Sequence, residues 1–105
     1  MRISFLMKKK TFEEIKKTLK EKKGVLRDRF KVKEIGIFGS YVKGEQKKES
    51  DLDILVEFEK PVSLFEFMDM EEYLKKTLGV KVDLVSKKAL KPRIGKHILE
   101  EVVYT

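Results

Sequence analysis

Three aspartates carry the clearest chemical signal in this sequence of 105 residues. Asp51 and Asp53 open an alternating run, Asp51-Leu52-Asp53-Ile54-Leu55-Val56-Glu57-Phe58, and Asp83 lies inside a second, Val80-Lys81-Val82-Asp83-Leu84-Val85. In a strand, side chains two apart share a face, so Asp51 and Asp53 point the same way, opposite Leu52, Ile54, Val56 and Phe58. Aspartate is disfavoured inside strands, and two of them among apolar neighbours call for a partner. Like charges on one sheet face raise each other's pKa and oppose folding unless a cation neutralises them. Carboxylate oxygens without His or Cys suit Mg²⁺ or Mn²⁺. An Asp-x-Asp pair on a strand has the spacing to bridge two ions ~3.5 to 4 Å apart, which would activate an attacking oxygen and steady a leaving pyrophosphate. Taken singly, Asp51 reads equally as a turn residue that opens a strand.

The apolar stretch Lys33–Phe38 stops at Gly39-Ser40. Glycine lets a backbone approach a phosphate closely, and the amides of the following turn and the Ser40 hydroxyl can donate to phosphate oxygens. Gly-Ser and Asp-x-Asp each recur in many unrelated turns. Their succession is the informative feature: apolar strand, Gly39-Ser40, Gly44, Ser50-Asp51-Leu52-Asp53, then Asp83 alone.

The elements that would position these residues follow from local signals. Thr11-Phe12-Glu13-Glu14 has capping-box spacing, and Phe12, Ile15, Leu19, Leu26 and Phe30 continue as one stripe, predicting a helix from about 12 to 29 with a bend at Gly24. A strand over 33–38, a helical turn and polar loop over 41–50, and a strand over 51–58 come next. Ser63-Leu64-Phe65-Glu66 is a second capping box. It opens a helix to Leu78, with Phe67, Met70, Leu74 and Leu78 inward and Gly79 as the residue after its end. A strand over 80–85, a helix over 92–101 started by Pro92 with Ile94 and Ile98 inward, and an edge strand within Val102–Tyr104 complete the chain. The order predicts an α/β (α+β) fold, a small mixed β-sheet of three to four strands packed against helices. Gly39-Ser40 and Asp51/Asp53 meet only if their strands run antiparallel.

Length and composition bound the rest. The chain is one domain over 1–105, with 1–10 expected as a loose N-terminal segment. The absence of cysteine excludes disulfides and thiolate metal sites, and with no run long enough to span a bilayer or form a signal core, a cytoplasmic protein is expected. Net charge is +7, and residues 1–33 carry 13 Lys and Arg against 4 Asp and Glu. Such a basic segment would suit nucleic acid or an acidic partner, but reads more simply as a solvated helix face. Only four arginines and no aromatic-basic clustering argue against sequence-specific recognition of nucleic acid, and direct binding of it is not expected.

Phe38-Gly39-Ser40, ten residues, then Asp51-Leu52-Asp53 resembles the signature of the DNA polymerase β-like nucleotidyltransferase superfamily. The length, the block GSYVKGEQKKESDLDILVEF and the tail VKVDLVSKKALKPRIGKHILEEVVY resemble its minimal nucleotidyltransferases, the antitoxin halves of two-gene modules whose partner is an all-helical HEPN ribonuclease toxin. The resemblance implies the polymerase β-like fold and a two-metal nucleotidyl transfer. Asp51 and Asp53 would bind Mg²⁺, and Asp83 would complete the metal site and help deprotonate the acceptor hydroxyl. Gly39, Ser40 and Lys43 would hold the triphosphate of ATP, and the acceptor would be a tyrosine hydroxyl of the HEPN toxin. The chain departs from the family's common Arg-Ala-Arg after the serine: it has Tyr41-Val42-Lys43, and Lys43 lacks the planar guanidinium fork. The alternative is an antitoxin that neutralises its toxin by binding, with a vestigial nucleotide site; a third reading is a nucleic-acid-binding protein using the basic first helix.

Other residues read more plainly. Arg93 and His97 suit a solvent-facing last helix. Phe65, Met68 and Tyr73 fall off the main stripe of their helix and would suit a toxin or self-association surface. No signal supports Tyr41 or Tyr104 as a site of self-modification.

Overall fold

The Thr11 hydroxyl accepts the Glu14 N–H at 3.1 Å and the Glu14 carboxylate accepts the Thr11 N–H at 2.9 Å, closing the first capping box. The computed structural model describes residues 11–44, 51–90 and 92–105. The expected loose segment at 1–10, the loop over 45–50 and the side chain of Ile94 lie outside the described residues. Two helices, α1 (Phe12–Glu21) and α2 (Lys23–Phe30), stand where one bent at Gly24 is expected. The interruption falls at Lys22, at φ −96° and ψ 6°. It separates the buried pair Ile15 and Leu19 from the buried pair Leu26 and Phe30. A seven-residue step on a straight helix drifts by about 20°, and the break lets both pairs face the same sheet. A Cβ on Gly24 would meet nothing within 4 Å, so the bend does not require glycine there.

Strands β1 (Val32–Phe38), β2 (Leu52–Phe58), β3 (Val82–Ser86) and β4 (Val103–Tyr104) form one mixed sheet in the order β3-β2-β1-β4. β1 and β2 are antiparallel, as the approach of Gly39 to Asp53 requires; β2 and β3 are parallel, and β4 pairs antiparallel with β1. A register shift between Val32 and Glu34 sets Lys33 as an extra residue, so Val32, Ile35 and Ile37 all reach the core despite the odd spacing. β3 begins two residues later than the alternation predicts, and Val80 still packs against the core.

Helices α1, α2 and α4 (Leu64–Leu78) bury Ile15, Leu19, Leu26, Phe30, Met70, Leu74 and Leu78 with Ile35, Ile37, Leu52, Ile54, Val56, Val82 and Leu84 of the sheet. α4 starts at the second capping box, where the Ser63 hydroxyl accepts the Glu66 N–H at 3.1 Å and the Glu66 carboxylate accepts the Ser63 N–H at 2.8 Å. It ends at Gly79, left-handed at φ 68°. Ser63→Ala is expected to lower stability by about 1 kcal/mol, read as a drop of about 4 to 8 °C in Tm. Phe67 is half-buried against Phe58, ring centroids 6.3 Å apart. Tyr73 is not a free surface residue: its ring lies 5.3 Å from that of Phe30, and the Arg29 guanidinium covers both rings at 5.3 and 4.7 Å. Leu64, Phe65 and Met68 are exposed, at 71%, 82% and 53%.

The second face of the sheet carries Gly36, Phe38, Asp53, Leu55 and Asp83. Helix α5 (Pro92–Glu101) leads through Val102 into β4 beside it. A Cβ on Gly36 would come within 2.7 Å of Val102 Cγ2, so glycine here admits the returning chain. At the outer edge of the sheet the Leu84 N–H donates to Glu71 Oε2 at 3.3 Å. No described helix is long and apolar enough to cross a membrane.

Candidate active site

β1 ends at Phe38, whose partner across the ladder is Asp53; Asp53 is in turn the register partner of Asp83 on the parallel strand β3. Adjacent strands lie about 4.8 Å apart, so Asp53 and Asp83 stand side by side on the second face. Asp51 sits two residues earlier, exposed at the mouth of β2. Among the described residues no three His, Cys, Asp or Glu side chains are gathered into a ready ligand set.

The backbone on the other side is Gly39, at φ 81° and ψ −150°, a conformation essentially confined to glycine. A Cβ there would also run into Asp53 Oδ2. Two independent constraints, conformation and space, therefore demand glycine, and the Asp53 carboxylate rests directly against its Cα. Helix α3 (Ser40–Lys43) follows, a single turn whose Val42 and Lys43 N–H groups bond the Gly39 carbonyl. Tyr41 is 3% exposed in the main core and anchors this turn. Burial, then the charge of Asp51, raise its hydroxyl pKa. A phenol so placed is a poor site for self-modification. Gly44 closes the turn in the left-handed region at φ 72°.

The electrostatics single out Asp53. Burial first, then the charges of Asp83, Asp51 and Glu101, push its carboxyl from 3.8 up to about 6. The folded chain thus holds a proton there that the unfolded chain has lost between those two values. Asp53 contributes no penalty below about pH 4, and stability falls as pH climbs through about 6. Because Asp53 is only half-buried, solvent screening reduces the expected cost at neutral pH to about 1 kcal/mol. The difference in urea unfolding free energy between wild type and Asp53→Asn, followed from pH 4 to 7, isolates this contribution from the other carboxylates.

Glu101 is the member of this group that the sequence reading missed. Its Oε1 accepts the Gly39 N–H at 3.2 Å, and its Oε2 lies 3.6 Å from Lys43 Nζ. Lys43, expected to meet phosphate, is therefore paired with a carboxylate. One local signal was available: an acidic residue in the last turn of a helix opposes the helix dipole, and α5 ends on Glu100-Glu101 with no basic residue in its last turn. Arg93 and His97 are exposed on α5.

The donor set fits a hard divalent cation. It consists of oxygens from aspartates on two adjacent strands, the hard oxygen ligands such an ion prefers. An apolar groove of about 320 Å³ lined by Phe58, Pro61, Val62, Leu64 and Phe67 lacks acidic groups; Lys60 and Lys88 are its charged residues.

The Gly-Ser turn thus faces two aspartates on neighbouring strands. The chain belongs to the nucleotidyltransferase domain family, which it matches over residues 13–105. It is 56% identical over 94 residues to the protein adenylyltransferase MntA of Thermococcus cleftensis, covering 90% of this chain and 95% of that one. Among solved structures it is similar to a protein proposed to be a minimal nucleotidyltransferase, at TM-score 0.76 and 33% identity, covering 90% of this chain and 95% of that one. It also shares its fold with a chain of the complex between a tri-AMPylated HEPN toxin and MNT antitoxin of Shewanella oneidensis. There the TM-score is 0.64 at 21% identity, over 86% of this chain and 70% of that one.

Proposed function

We propose that this enzyme transfers AMP from ATP to a tyrosine hydroxyl of a HEPN-type toxin in the cytoplasm, and so acts as an antitoxin. The observation that carries the reading is the side-by-side register of Asp53 and Asp83 against the glycine-only backbone of Gly39. The names of the relatives point to the same donor group and the same kind of acceptor.

In this reading Asp51, Asp53 and Asp83 hold Mg²⁺. Bound there, the ion supplies positive charge for the triphosphate and lowers the barrier to attack at phosphorus. Gly39 lets the backbone approach the phosphates, with the Ser40 hydroxyl and the Lys43 ammonium as donors. The acceptor oxygen attacks the α-phosphorus, the bond from that phosphorus to the pyrophosphate oxygen breaks, and the phenolic proton passes to the Asp83 carboxylate. Asp83 is exposed, within reach of an acceptor brought by another protein. Asp53, rigidly placed against Gly39, fixes the geometry from the inner side.

The deciding measurement is the intact mass of the protein encoded beside this one after incubation with ATP, Mg²⁺ and this enzyme. Mass steps of one AMP, located on tyrosine by peptide fragmentation, are expected. A stable complex that silences the ribonuclease with no added mass would reject transfer and leave neutralisation by binding.

A further inference from the structure

Glu101 has two features that do not sit together unless it stands in for something else. It lies in the last turn of α5, where exposed carbonyls oppose negative charge. It is also one of the three carboxylates whose charges act on Asp53. It is nevertheless held at both oxygens, by the Gly39 N–H on one side and the Lys43 ammonium on the other, across 62 and 58 positions of sequence. One backbone amide and one ammonium gripping two oxygens of a single anion is how a phosphate group is held.

We infer that Glu101 is an internal competitor for the nucleotide's phosphates, occupying Gly39 N–H and Lys43 Nζ until the triphosphate displaces it. The inference rests on the reading given above, in which the phosphates lie against the Gly39 backbone with Lys43 as a donor. Displacement needs only a side-chain swing, because the backbone on either side is tied down. The Val102 N–H bonds the Ile98 carbonyl at 2.9 Å, and Val103 and Tyr104 pair with β1. A carboxylate carries less charge than a triphosphate and meets two donors, so it yields to the ligand while weakening its apparent affinity.

The test is direct titration of the full chain with a non-hydrolysable ATP analogue and, separately, with inorganic triphosphate, each with and without Mg²⁺. The chains compared are wild type, Glu101→Gln, Glu101→Ala and Lys43→Gln, each checked for unchanged circular dichroism. The expected result is a Kd about 5- to 10-fold lower for both ligands in both Glu101 variants, and higher in Lys43→Gln. Unchanged or weaker binding in the Glu101 variants, with Lys43→Gln still impaired, overturns the competitor and leaves the phosphate site standing. Weakening of the Glu101 variants only when Mg²⁺ is present also overturns it, and makes Glu101 a cation ligand. Binding indifferent to Lys43 and Glu101 alike removes the phosphate reading itself, and the inference with it.

Discussion

Asp53→Asn is expected to slow nucleotidyl transfer by about 10³-fold or more, a loss of roughly 4 kcal/mol of transition-state stabilisation, in a protein that folds better than wild type. The two halves of this result have one cause. Asp53 is the carboxyl that burial and the surrounding acids hold up at about 6, so at neutral pH its charge costs the folded chain about 1 kcal/mol after allowance for screening. Asparagine keeps the shape and removes the charge. In metal-free buffer the variant should therefore melt about 4 to 8 °C higher, and added Mg²⁺ should raise the Tm of wild type more than that of the variant. Calorimetry of the pair with and without Mg²⁺, beside the transfer assay, checks both. A folded Asp53→Asn enzyme with wild-type rate would remove the aspartates from the chemistry.

Gly39→Ala is expected to be the most damaging single-atom addition near the site. The backbone at φ 81° and ψ −150° costs any other residue about 1 to 3 kcal/mol, and the new methyl would occupy the place of Asp53 Oδ2. The combined loss should be about 2 to 4 kcal/mol, with activity falling to the level of Asp53→Asn because that carboxylate must swing away. Gly44→Ala is the comparison: also at positive φ, but with open space around its Cα, it should cost only about 1 to 2 kcal/mol and leave Asp53 in place. Chemical denaturation of the three proteins distinguishes the two glycines. Equal losses would mean that the contact with Asp53 is immaterial.

How much of this was legible depends on how local the cause is. Both capping boxes, at Thr11 and Ser63, form as read, because their partners lie three residues apart. The core stripe of α4 and the face carrying Asp53 and Asp83 follow from helix and strand periods alone. The antiparallel pairing of β1 and β2 followed from asking how Gly39 and Asp53 could meet. The break at Lys22 was not legible: glycine marks tolerance of a bend, while the fit of Leu19 and Leu26 onto one sheet decides where it falls. The place of Tyr73 was missed for a similar reason, since the ring of Phe30 and the Arg29 guanidinium reach it from another helix. Glu101 was beyond reach because its partners Gly39 and Lys43 are 62 and 58 residues away and its own neighbours offer only a mismatch with the helix dipole.

The bond from the Leu84 N–H to Glu71 has a consequence for how this chain meets others. Outward amides alternate along an edge strand, and Leu84 is the central residue of the five in β3. With that amide taken by the Glu71 carboxylate, β3 is a poor template for a foreign strand. β4, at the opposite border, is only two residues long. The sheet is thus blunted at both ends against templated growth into fibres, and association is steered toward helix surfaces such as the exposed Leu64, Phe65 and Met68.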